Sequence, residues 1–219
     1  MIKLKELYEN RFSAKDRAKK DAVWKELCNH FFYRFVKETD TILDIACGYG
    51  EFSNHIKAGR KIAIDLNPDA KKYLNEDVEL YLSSAVNMDK IDSSAVDVCF
   101  SSNFFEHLPD RQIMDGVLKE ALRVLKPGGR YVAMQPNIRY EPGRYWDYYD
   151  HILPLSHLSC REAFEKAGFL IEKVIPKFIP FSTNSRLPQW PILVRMYLLF
   201  PPIWNILGGQ FIIVARKAI

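Results

Sequence analysis

Residues 42–52, ILDIACGYGEF, constrain the chain more tightly than any other stretch. Ile42, Leu43 and Ile45 form a short apolar run suited to a strand buried on both faces. Asp44 lies near its end, and Gly48-Tyr49-Gly50 then turns the chain into a helix expected over 51–57. Glycines serve where the backbone needs positive φ or where a ligand must press against main-chain atoms. A helix start aims free N–H groups at the same place, so the turn should line a polar crevice that holds a nucleoside.

What the turn lacks narrows the ligand. A dinucleotide site wants Gly-x-Gly-x-x-Gly, and the third position here is Ser53. A phosphate-loop NTPase wants Lys-Ser/Thr after its glycines, and Glu51-Phe52 stands there instead. Neither pyrophosphate grip is present.

A chain of 219 residues suits one α/β domain, which buries roughly 70% of its unfolded surface, enough for a sheet covered on both faces. Lys+Arg 31 against Asp+Glu 27 leaves a net charge of +4 with the charges dispersed. The mild cluster Lys15, Arg17, Lys19 and Lys20 reads as a solvated helix face rather than a nucleic-acid site. Cys28, Cys47, Cys99 and Cys160 are far apart, form no Cys-x-x-Cys pair and read as reduced, and 1–5 begin no apolar signal region. A cytoplasmic home is expected.

Along the chain, Trp24, Leu27, Cys28, Phe31 and Phe35 predict an amphipathic helix over 21–37, within an N-terminal helical cap spanning 1–40. Strands are expected at 61–64, 79–82, 96–100 and 130–134, with a helix between the last two that starts at Pro109-Asp110. This alternation predicts an α/β, doubly wound, Rossmann-like sheet in a single domain over 41–219, its crevice at the strand C-terminal ends. Asp65 ends the second strand, where its two oxygens can accept from both ribose hydroxyls. Residues 138–157, rich in Tyr, Trp, Asp and His, are expected to form a lid over the site. A short helix over 159–167, a strand over 169–175 and a last strand over 210–215 follow.

Between those last two strands lies an insertion, 176–209, whose helix over 192–200 is apolar on nearly every side. Arg195 and internal prolines keep 187–204 from spanning a bilayer. Burial or self-association is the favoured reading, with peripheral membrane contact behind it.

LDIACGYG at 43–50, IAIDLNPDA at 62–70, VDVCFSSNFFEHLPD at 96–110 and LKPGGRYVAMQPN at 125–137 together resemble the class I S-adenosylmethionine-dependent methyltransferases, of the broad type that includes quinone methyltransferases. The resemblance implies seven strands, mostly parallel, the last antiparallel. It implies cofactor contacts from Asp44, Ala46, Gly48 and Gly50, ribose contact from Asp65, adenine-side contacts from Leu66 and Ala85, and methionine-side contact from Asn103. Many relatives carry an aspartate where Ser84 falls, so an adenine contact there would come from the Ser84 hydroxyl or the Ala85 backbone. Tyr8 or Arg11 would fold over the cofactor's amino-acid end. Flanking segments 8–12, 150–159 and 186–191 are similar to bacterial methyltransferases associated with surface glycans.

Methyl transfer from a sulfonium is an in-line displacement and needs no covalent intermediate. A hydroxyl acceptor benefits from a base, and His107 and His157 are the candidates, with His151 and Glu106 behind them. Glu106-His107 resembles the pair of metal-dependent relatives, but Asn103 replaces an expected carboxylate, so a metal on Glu106, His107 and His157 is not expected. The expected activity is methylation, at oxygen, of a small or lipid- or glycan-linked acceptor. The rivals are a nicotinamide-dependent oxidoreductase and a non-catalytic cofactor-binding protein working through 187–204.

Overall fold

A computed structural model describes residues 14–180 and 190–219. The expectations for Tyr8 and Arg11, and those for residues 187–189, lie outside the described residues.

Seven strands form one sheet in the order β3-β2-β1-β4-β5-β7-β6. They are β1 (Thr41–Ile45), β2 (Arg60–Asp65), β3 (Val78–Leu82), β4 (Val96–Ser102), β5 (Leu125–Pro136), β6 (Leu170–Ile175) and β7 (Gln210–Arg216). β1 pairs in parallel with β2 and β4, and β5 in parallel with β4. β7 runs antiparallel between β5 and β6. The Rossmann-like, mostly parallel sheet with an antiparallel last strand is therefore as expected. The chain reverses order between β1 and β4, and ligands of such sheets bind outside the strand C-termini at that switch.

Alternation along β1 sends Ile42 to one face and Leu43 and Ile45 to the other. The first face is covered by α1 (Ala14–His30) and α2 (Glu51–His55), with α6 (Pro191–Leu199) and α7 (Trp204–Leu207) beside them. The second is covered by α3 (Arg111–Val124) and α5 (His157–Lys166), with the short α4 (Pro142–Tyr145) in the loop between β5 and α5. Asp110 caps α3 by accepting from the Ile113 N–H at 2.9 Å. All four cysteines are buried and free.

The first helix corrects the expectation of 21–37: α1 begins earlier and ends at His30. Phe31 and Phe32 are adjacent and each only 1% exposed. There the chain leaves the α-helix and makes a 3-10 turn at Phe32–Arg34. The basic cluster also does more than meet solvent. Lys20 Nζ lies 2.8 Å from Glu51 Oε1, and the Arg17 guanidinium stands over the Tyr49 and Tyr73 rings, fastening α1 beside the glycine turn.

The helix α6 corrects the favoured reading of burial. Leu198 is buried, but Ile192, Met196, Leu199 and Phe200 are exposed, as is Trp190 before the helix. Arg195 anchors the helix on α1, its Nε 3.0 Å from Glu26 Oε2. Among the described residues, no helix is long and apolar enough to cross a membrane.

Candidate active site

The tips of β1, β2 and β3 are tied together at Asp65. Its Oδ2 accepts from Gly48 N and its Oδ1 from Asn67 N, both at 2.8 Å, while Ser83 N donates to the Asp65 carbonyl at 3.2 Å. Each carboxylate oxygen retains a further acceptor site for ligand hydroxyls. Leu66, next in the chain, is 77% exposed, an apolar side chain held beside an anionic one.

Gly48 has φ +55, and a Cβ built on it would meet nothing within 4 Å. The space before the turn is open. Gly50, at φ +73, caps the start of α2. Ala46 (φ 57) and Asn103 (φ 46) also hold left-handed backbone without being glycine, and both border the strand tips. Such strain persists only where surrounding structure fixes it, and it gathers at ligand sites.

Asp44 is buried below the turn and accepts from the Ser53 hydroxyl at 2.6 Å. Burial pushes its carboxyl up to about 7, against the lowering effect of the Ser53 bond. This accounts for Ser53 where a dinucleotide fold has glycine: the position supplies a donor to a buried acid. Asp44, expected to contact the ligand, also supports the turn through this bond. Ser84 and Ala85 are half-buried beyond β3, and the Ser84 Oγ accepts weakly from Val86 N at 3.4 Å.

The tips of β4 and β5 carry a second cluster. Phe105–His107 is a 3-10 turn, and Gln135 Oε1 accepts from Phe104 N at 3.0 Å and Phe105 N at 3.4 Å. The 138–157 loop folds back on this turn, with Ile152 N and Leu153 N donating to the Glu106 carbonyl at 2.7 and 3.0 Å. Tyr145 is buried beneath, its hydroxyl donating to Leu153 O at 2.6 Å. His107 Nδ1 lies 3.0 Å from the Asp150 carbonyl oxygen and 3.3 Å from Asp150 Oδ2. His151 packs edge-on to His107, ring centroids 5.1 Å apart. Glu106 is buried with Oε2 unpartnered, and burial pushes its carboxyl up to about 7 while His107 pulls it down.

His157 is elsewhere. It is the first residue of α5, its Nδ1 3.0 Å from Asn137 Nδ2 and its ring stacked on Tyr140. An amide N–H₂ can only donate, so His157 Nδ1 accepts, and burial lowers the pKa of the ring. The two expected catalytic histidines therefore belong to different neighbourhoods. The trio Glu106, His107 and His157 does not form either. His151 takes the third place, with ligand-capable atoms of Glu106, His107 and His151 all within 4.8 Å of one another. The sequence reading also passed over Asp150 and Gln135, whose partners are distant in the chain, and Tyr145, whose partner Leu153 is close by.

A family model described as "Methyltransferase domain" matches residues 43–133, which hold the glycine turn, Asp65 and the β4 tip. Over these residues the chain is similar to the class I S-adenosylmethionine-dependent methyltransferases. The chain is 30% identical over 170 residues to the ubiquinone/menaquinone biosynthesis C-methyltransferase UbiE of Neisseria gonorrhoeae, covering 69% of this chain and 65% of that one. It is 30% identical over 130 residues to the malonyl-[acyl-carrier protein] O-methyltransferase of Yersinia pestis, covering 54% and 48%. The chain thus spans between about half and two thirds of the length of these curated relatives. Its fold is that of a SAM-dependent methyltransferase from Archaeoglobus fulgidus, with TM-score 0.67 at 20% identity, covering 98% of this chain and 100% of that one.

The residues present fit the cofactor that the family uses. Open space before Gly48, a carboxylate at the β2 tip and an exposed apolar side chain beside it suit an adenosine, and no lysine or arginine stands in the turn to grip a diphosphate. The nicotinamide rival finds no footing here.

Proposed function

We propose that this chain methylates a hydroxyl oxygen of a small or lipid- or glycan-linked acceptor, using S-adenosylmethionine, with His107 as the base. The cofactor supplies, when bound, an electrophilic methyl group on a sulfonium sulfur. Asp65 and the Gly48 turn would hold its adenosine, with Leu66 and Ala85 beside the base and Asn103 toward the amino-acid end.

The observation that carries the reading is the His107 ring. A carbonyl oxygen can only accept, so the 3.0 Å contact to Asp150 O puts the proton on Nδ1. A ring protonated at Nδ1 alone offers the lone pair of Nε2. During methyl transfer His107 would accept the acceptor's hydroxyl proton on that nitrogen, and the Asp150 carboxylate would stabilise the resulting imidazolium. The relatives' names include both carbon and oxygen methylation, and a base positioned in this way favours oxygen.

The test is transfer of radiolabelled methyl into cell-extract fractions. Wild type is expected to label a hydroxyl-derived ether or ester, and His107→Ala to lose about 10²- to 10⁴-fold in rate while still binding S-adenosylhomocysteine. Label on carbon, an unimpaired His107→Ala, or cofactor binding with no product in any extract would overturn it.

A further inference from the structure

The insertion 176–209 joins the sheet at the crevice side. β6 runs parallel to β5, because β7 is antiparallel to both, so β6 ends and β7 begins at the level of the β4 and β5 tips. Its two ends are bonded to Asn137, just past β5: Asn137 N donates to Gly209 O at 2.9 Å and Asn137 Nδ2 to Pro176 O at 2.8 Å. Lys177 Nζ lies 4.8 Å from the centre of the Tyr140 ring, the ring that stacks on His157. The insertion is thus continuous with the rim of the site on the β5 side.

Its outer surface is apolar. Trp190, Ile192, Met196, Leu199, Phe200 and Ile206 are each more than half exposed. Single exposed apolar residues are ordinary, but six within seventeen residues form a patch that needs a partner. The helix nevertheless has a fixed seat. Leu198 and Trp204 are buried, Trp204 Nε1 donates to Tyr197 O at 2.8 Å, the Tyr197 hydroxyl donates to Phe178 O, and Arg195 pairs with Glu26. The exposed side is therefore presented by a docked element.

Charge identifies the partner. Residues 176–209 contain Lys177, Arg186 and Arg195 and no Asp or Glu. Among the described residues the acid paired to the segment is Glu26, which is itself buried. A surface of Trp, Phe, Leu and Ile free of carboxylates and accompanied by cations complements an anionic lipid headgroup layer with hydrocarbon beneath it.

We infer that the exposed face of α6 and α7, with Trp190, docks this enzyme on an anionic phospholipid surface and so brings the β5 rim of the site to acceptors held in that surface. The inference deepens the proposed function by naming a lipid-held acceptor, and it rests on that reading only for what happens after docking.

The test is flotation of the intact chain with vesicles of phosphatidylcholine containing about one-third phosphatidylglycerol, against phosphatidylcholine alone. The wild type is expected to float with the anionic vesicles, less so in high salt, and the double variant Met196→Glu/Phe200→Glu to lose at least tenfold in binding. Both positions are exposed, so an unchanged melting temperature and unchanged S-adenosylhomocysteine binding will show that the variant is folded. A wild type that stays with the soluble fraction, or a variant that floats equally well, would overturn the inference. So would light scattering that shows a wild-type dimer converted to monomer by the variant without any flotation. Cofactor binding without flotation sinks the docking surface and leaves the methyltransferase reading intact; flotation without cofactor binding does the reverse.

Discussion

Glu106 is a carboxyl enclosed by protein, with Oε2 unpartnered and Oε1 3.9 Å from His107 Nε2. Burial raises it from 4.5 to about 7, so the folded state binds its proton more tightly than the unfolded state does. Stability from this group is fully present below about 4.5 and is lost as pH rises through about 7. At about 1.4 kcal/mol per pH unit the interval amounts to on the order of 3 kcal/mol, a large share of a domain's 5–15 kcal/mol or so. Glu106→Gln keeps the shape and removes the titration. It is expected to flatten the stability profile between pH 5 and 8, gaining on the wild type by about 2–3 kcal/mol across that range. The offset at pH 5 will include the cost of two new amide donors, so the slope carries the test. Urea denaturation at half-unit steps of pH measures it. Parallel profiles for the two proteins would show that Glu106 ionises as an ordinary surface carboxylate and that the enclosure described around it is wrong.

Two substitutions at the glycine turn separate support from contact. Gly48→Ala keeps a left-handed φ and places its methyl in open space, so it is expected to cost only about 1–2 kcal/mol of stability but at least tenfold in S-adenosylhomocysteine affinity by calorimetric titration. Ser53→Ala leaves the buried Asp44 carboxyl without its 2.6 Å donor and is expected to cost about 1–3 kcal/mol in urea denaturation. Because the lost bond favours the charged form, the Asp44 pKa should move further above about 7, read by the carboxyl ¹³C shift of the labelled protein.

The sheet was legible because each strand writes its own signal locally. Ile42-Leu43 and Ile62-Ala63-Ile64 are apolar runs ended by acid or glycine, and the order of the elements follows from their alternation with helices. Asp65 was legible for the same reason, since a strand end is a place the sequence marks. The histidines were not. Which of His151 and His157 meets His107 depends on where the 138–157 loop lands, and that is fixed by two backbone bonds from Ile152 and Leu153 to the Glu106 carbonyl, some forty-five residues apart in the chain. One local signal did bear on it. Ser156 and Ser159 form a reciprocal capping box, which makes His157 the first helical residue and turns it in toward Asn137.

The exposed helix failed differently, and the failure is informative. A helix apolar all round is buried when neighbours surround it. Here α6 is held to α1 through Arg195 and Glu26 and to Phe178 and Trp204 through Tyr197, while Ile192, Met196 and Leu199 stay exposed. Composition states what a surface avoids, not what will cover it, and the described residues leave that cover to be found. The absence of carboxylates from 176–209 then becomes the most specific property of the segment, because an internal contact would tolerate a paired acid, as Glu26 does, whereas an anionic lipid surface would not.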